Sequence, residues 1–168
     1  RVVIFRDGAR IAGQVLPFSG YDSNNPEELW VHMEKYEEST GGEVLAIPHN
    51  GNLSRGTMFA LEDMKGNALS SHYAKMRSRW EPLFEVTQIK GDSEIHPALS
   101  PTDDFSDYAT ISLGSYSSED IGKSKLTYNR WIQKNIQGDD ENWMPRFGYA
   151  RSGLKLGLAQ QARLGVNP

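Results

Sequence analysis

The chain contains no cysteine. Disulfides and thiolate zinc sites are therefore excluded, while the redox compartment stays open, because cysteine-free chains occur everywhere. No apolar run approaches the ~20 residues that a membrane-spanning helix needs. There is no run of lysine and arginine, and the net charge is −4. The electrostatic footprint of a nucleic-acid binder is thus missing both overall and locally. Glycine-rich phosphate loops of the P-loop or dinucleotide type are absent, as is a Gly-x-Ser-x-Gly nucleophile elbow. No internal repeat is visible. What remains is 168 residues, 38% hydrophobic and 24% charged, which is one globular domain's worth of chain with enough apolar material for a core.

The most informative stretch is Val44-Leu45-Ala46-Ile47-Pro48-His49-Asn50-Gly51-Asn52. Val44 to Ile47 does not alternate with polar residues, so it reads as a strand covered on both faces. Pro48 cannot donate to a ladder and should end the pairing. Gly51 lets the backbone turn sharply and approach a ligand. In α/β proteins, ligands bind beyond the carboxyl ends of strands. A histidine placed there is a candidate metal ligand or proton-transfer group. The alternative is a strand-end imidazole bonded to a neighbouring carbonyl.

Read in order, the chain opens on a strand, Val2 to Phe5, closed by a turn at Asp7-Gly8. The first helix is predicted from Pro26 to about Ser39. Asn25 is a good cap, Pro26 suits the first turn, and Glu27 and Glu28 favour the helix dipole. Leu29, Trp30, Met33 and Tyr36 form its core-facing stripe. After the Val44 strand and a loop from Leu53 to Gly66, a second helix is predicted from Ser71 to Trp80. It buries Tyr73, Met76 and Trp80, with Lys75, Arg77 and Arg79 on a solvated face. Leu83 to Ile89 reads as a third strand. The order β, α, β, α, β argues for parallel strands with right-handed helical crossovers packed on one side. A last helix takes Pro145 in its first turn, carries Tyr149, Leu154, Leu158 and Ala162, and ends near Gly165. Residues 109–142 read as an insertion or lid. The chain starts directly on a strand and stops at Leu164-Gly165-Val166-Asn167-Pro168. Both ends suggest an excerpt, a single partial domain over 1–168, with an open sheet edge and marginal stability.

The third predicted strand also ends in a chemically loaded stretch, Lys90-Gly91-Asp92-Ser93-Glu94-Ile95-His96-Pro97. On a parallel sheet, this loop and His49 would open on one side. The remaining histidines, His32 and His72, fall inside helices and read as surface residues. A metal site built from this chain would depend on His49, His96 and nearby carboxylates. That donor set suits zinc, manganese or iron better than calcium, and it is thin for a closed multi-metal centre.

Ile47 to Ser54 together with Glu85 to Pro97 resembles an uncharacterised bacterial family of unknown function. That family is related to the polymerase-and-histidinol-phosphatase (PHP) superfamily. Further likeness lies in Arg1 to Gly8, Leu99 to Phe105 and Leu164 to Pro168, whereas about Ala109 to Asn142 departs from the pattern. The resemblance implies a partial TIM-like, PHP-type barrel. It also implies a metal-dependent phosphoesterase in which ions activate water and polarise phosphate. His49, Glu94 and His96 would then be metal ligands, and Asn50, Asn52, Lys90 and Asp92 substrate contacts. The divalent ion would be zinc, manganese or iron, incompletely liganded by this chain. The partner would be a small, phosphorylated molecule rather than nucleic acid. The family's other metal motifs would lie before Arg1 and after Pro168, leaving the isolated chain inactive. The competing expectation is a non-catalytic binding or structural domain that keeps the same loops.

Overall fold

A computed structural model describes residues 1–88, 91–96, 99–100, 103–106 and 147–168. The sequence-based readings for Ile89, Lys90, Pro97, residues 109–142 and Pro145 fall outside the described residues. Two compact units are present. One comprises Arg1–His49, Leu61–Phe84 and Leu156–Pro168, and the other comprises Asn50–Ala60 and Glu85–Lys155.

The first unit begins with β1 (Val2–Phe5), followed by a single turn of helix, α1 (Ala9–Ala12). Next come α2 (Pro26–Thr40), β2 (Val44–Ile47) and α3 (Ser71–Trp80). Helix α2 starts where the capping chemistry put it. The Asn25 side chain accepts from the Glu27 N–H, Pro26 occupies the first turn, and Gly41 ends the helix in a left-handed conformation at φ 69°. Ser70 caps α3 by accepting from the Tyr73 N–H at 3.1 Å. Leu29, Trp30, Met33 and Tyr36 of α2 meet Val44 and Ala46 of β2 and Trp80 of α3, and Val3, Ile11, Val15, Phe18, Tyr73 and Met76 close around them. Each large side chain so buried contributes about 1.5–3 kcal/mol.

The parallel arrangement expected from the β–α alternation is overturned. Strands β1 and β2 pair antiparallel, with Val2 opposite Ile47, Val3 opposite Ala46, Ile4 opposite Leu45 and Phe5 opposite Val44. The cause lies in the connection. Trp30, early in α2, donates to the Glu81 carboxylate that also holds Arg1, while Tyr36, a turn and a half later, packs edge-on against Phe5 at 5.0 Å. Helix α2 therefore runs in the same direction as β1, and residues 13–25 make the return leg that a crossover helix would have supplied. Asp7 then fixes the hairpin-like closure by accepting from the Glu43 N–H at 2.7 Å and from the Tyr36 hydroxyl at 3.3 Å. The strand after that bond can only run back along β1.

Of the predicted strand Leu83–Ile89, the described residues Leu83 to Val86 lie outside any strand, while Thr87–Gln88 form β3, which pairs antiparallel with β4 (Gly91–Asp92) in the second unit. Leu83 and Val86 are exposed. No parallel pairing, and hence no TIM-like, PHP-type barrel, occurs among the described residues. The Val44 strand is also not covered evenly. One face, with Val44 and Ala46, is buried under the helices, whereas on the other Val2 and Ile4 remain nearly half exposed.

The last helix, α4 (Ala150–Leu164), ends at Gly165 as expected but buries a different face. Leu154 and Leu158 are 71% and 66% exposed. The covered side carries Ser152, Leu156 and Gly157 instead. Small residues there admit close neighbours. A Cβ on Gly153 would sit 2.9 Å from the Phe59 ring in the second unit, and one on Gly157 would meet the Asn167 side chain in the first. No described helix is long and apolar enough to cross a membrane.

Arg77 departs most from its solvated reading, being buried beside Glu81. The Glu81 side chain is 1% exposed and accepts from Arg1 Nε at 2.7 Å and Trp30 Nε1 at 3.0 Å, with Arg77 Nε at 3.6 Å. Removing one partner of such a buried set leaves an uncompensated charge. Glu81→Ala should therefore lower the unfolding free energy by about 3–5 kcal/mol, read as a shift in the denaturant midpoint. Glu43→Ala, which breaks the exposed pair with Arg6, should cost no more than about 1 kcal/mol. Equal losses in the two variants would disprove the special weight given to Glu81.

Candidate functional site

Strand β2 pairs through Ile47, opposite Val2, and then stops at Pro48, which is fully buried. His49 follows as the last residue of the first unit's opening segment, Arg1–His49. Its Nδ1 is buried and has no hydrogen-bond partner. Among the described residues, the other such nitrogen is Trp80 Nε1, an indole N–H that cannot accept or ligate. An imidazole nitrogen can do both.

In the second unit, Asn50 takes the left-handed conformation, φ 57° and ψ 39°, and opens a short 3-10 turn, Gly51–Leu53. The turn closes through Leu53 N–H to Asn50 O and Ser54 N–H to Gly51 O, both at 3.0 Å. Ser93 fastens it. Its hydroxyl, 2% exposed as a residue, accepts from the Asn52 N–H at 3.0 Å and donates to Asn52 Oδ1 at 3.0 Å. Gln88 donates its side-chain amide to Asn50 Oδ1. Gly91 is required beside this pair, because its φ is 129° and a Cβ there would meet Asn52 Nδ2 at 2.6 Å.

The loop carrying the expected ligands is itself welded to α4. The Asp92 carboxylate accepts from the Glu94 N–H at 2.7 Å. The Ser93 and Glu94 carbonyls accept from the first free N–H groups of the helix, Ala150 at 2.8 Å and Arg151 at 3.1 Å, supplying partners that a helix start otherwise lacks. Arg151 reaches Glu94 at 3.3 Å and Asp103 at 2.7 Å. Its hydrogen bond holds the Asp103 carboxyl below the usual value of 3.8, and the same bond raises the Arg151 guanidinium. His96 lies edge-on to Tyr149, ring centres 6.2 Å apart. Lys90 falls outside the described residues.

Asp92, Ser93, Glu94, Asn50 and Asn52 therefore come together in the second unit, but in bonds within the chain. Among the described residues no three histidine, aspartate or glutamate side chains converge as a metal centre. His49 has the chemistry of a ligand; the described set as a whole does not fit a complete site. Sequence reasoning passed over Ser93, Arg151 and Asp103 as organising residues. Ser93 lay inside the highlighted loop and its burial gave no signal in composition. Arg151 is 57 residues from Glu94, a separation that no local pattern reports.

Ser93→Ala should leave the Asn52 N–H and Oδ1 without their shared partner and cost about 1–3 kcal/mol, measured by chemical denaturation. Arg151→Met tests the ion pair by its pH dependence. Because Asp103 has a folded pKa below its ordinary 3.8, the stabilisation is complete above that value and is lost as pH falls through the depressed folded value. The wild type should thus lose stability in acid over that window, and Arg151→Met should show a flatter acid limb. An identical acid limb in both proteins would refute the assignment.

No curated protein and no solved structure matches the chain. A family model described as "Protein of unknown function (DUF3604)" matches residues 1–168. With the whole chain covered, the protein belongs to the DUF3604 family.

Proposed function

We propose that the chain is part of a metal-dependent hydrolase, a phosphoesterase of PHP type acting on a small phosphorylated substrate, to which His49 contributes a ligand for zinc, manganese or iron. The observation that carries this reading is the buried, partnerless Nδ1 of His49 at the end of β2. Leaving such a group unsatisfied costs about 1–3 kcal/mol, and ligation of a divalent ion would relieve that cost. The likeness of Ile47–Ser54 and Glu85–Pro97 to PHP-related sequences supports the same class, independently of any barrel. In this reading Glu94 and His96 would be further ligands, as the resemblance implies.

A second reading, a non-catalytic binding or structural domain, is favoured by one specific feature. Glu94 pairs with Arg151 and Asp92 accepts from the Glu94 N–H, so both carboxylates serve the loop's own architecture.

The two readings separate in the full-length protein. Bound zinc, manganese and iron are measured by elemental analysis, alongside hydrolysis of a chromogenic phosphomonoester and phosphodiester. In the first reading, metal is present and His49→Ala lowers metal-dependent turnover by at least about 100-fold, more than the loss typical of a residue that only supports a ligand. The denaturant midpoint should stay near that of the wild type, since strand-end loops add little to the core. Wild-type metal content and turnover in His49→Ala would remove this residue from the site. Absence of metal and of hydrolysis in the wild type would favour the binding domain.

A further inference from the structure

We infer that Asn50–Gly51 is a succinimide-forming modification site that the fold holds shut. Asn50 is the one asparagine followed by glycine in the sequence. Glycine has no side chain to shield its amide nitrogen, which makes this pair the most reactive of its kind in the unfolded chain. In the reaction, the Gly51 nitrogen gives up its proton to base and attacks Cγ of Asn50. The Cγ–Nδ2 bond breaks, ammonia leaves, and a five-membered ring results. Water then opens one of the two ring carbonyls, giving aspartate or isoaspartate at position 50.

The folded geometry opposes the first step. Ring closure needs the Gly51 nitrogen to swing round beside the Asn50 Cβ. At ψ 39°, tetrahedral geometry at Cα sets that nitrogen nearly opposite Cβ. Rotation is blocked by the bonds of the turn, Leu53 N–H to Asn50 O and Ser54 N–H to Gly51 O. Ser93 holds the next residue through the Asn52 N–H, and Gln88 engages the Asn50 amide itself. Gly148 packs so tightly here that a Cβ on it would come within 2.5 Å of Gly51 O. All of these residues belong to the second unit. Conversion must therefore wait for the turn to open, and the product records that opening. It adds a negative charge directly after His49, and in its iso form an extra methylene in the backbone.

The whole chain is incubated at mildly alkaline pH, folded or in urea, and aspartate and isoaspartate at every asparagine are quantified by peptide mapping. In urea, position 50 should convert faster than any other asparagine. In the folded protein it should convert at least about tenfold more slowly, as protection by local structure requires. Ser93→Ala or Gln88→Ala should bring the folded rate towards the urea rate, with each variant's denaturation curve confirming that it is folded at the start. Gln88→Ala removes only a side chain on a two-residue strand, so it serves if Ser93→Ala does not fold. Folded and urea rates within about twofold of each other, or an unchanged folded rate in the folded variants, would overturn the inference.

Discussion

The first unit is organised around a carboxylate that is out of water. Glu81 ends α3, and its side chain gathers Arg1 from the start of β1, Arg77 from within α3 and the indole of Trp30 from α2. An ionised group in such surroundings is tolerated only when its lone pairs are matched. The matching is therefore a geometric constraint: strand, helix and helix must arrive with their donors at one point. The apolar core sets how strongly these elements adhere. The carboxylate sets where along each element they adhere, because a shift by one residue would move a donor out of reach.

Local chemistry was legible at the start of α2. Asn25 caps that helix and Pro26 opens its first turn, and the stripe from Leu29 to Tyr36 is its buried face. Topology was not legible, and the reason is specific. Alternating strands and helices imply parallel pairing only if each helix runs against the strand before it. Residues 13–25 are long enough to carry the chain back without a helix, so α2 runs along β1 and the inference reverses. The bonds of Asp7 to Tyr36 and Glu43 enforce that outcome, but an Asp-Gly turn in a sequence does not disclose its distant partners. Burial of Arg77 was hidden for the same reason, its compensation depending on a fold not yet known.

The two motif-rich loops are chemically dense in the sequence, but residue type alone does not say what each polar side chain does there. His49, which follows β2, has a buried Nδ1 with no hydrogen-bond partner. The asparagines and acids that looked ligand-like are largely spent on shaping their own loops, through Ser93 and Arg151. Polar residues clustered around a glycine have two uses, binding something else or holding a turn, and composition does not separate them.

Helix α4 carries a consequence for how this chain can change. Glycine inside a helix costs about 1 kcal/mol relative to alanine, and replacing it is among the commonest routes to a more stable protein. At Gly153 that route is obstructed, because the added methyl would come 2.9 Å from the Phe59 ring, whereas at Gly157 only the exposed Asn167 side chain stands in the way and can swing aside. Gly153 is thus tied to Phe59, a partner far off in the sequence, and the two should drift together or stay still.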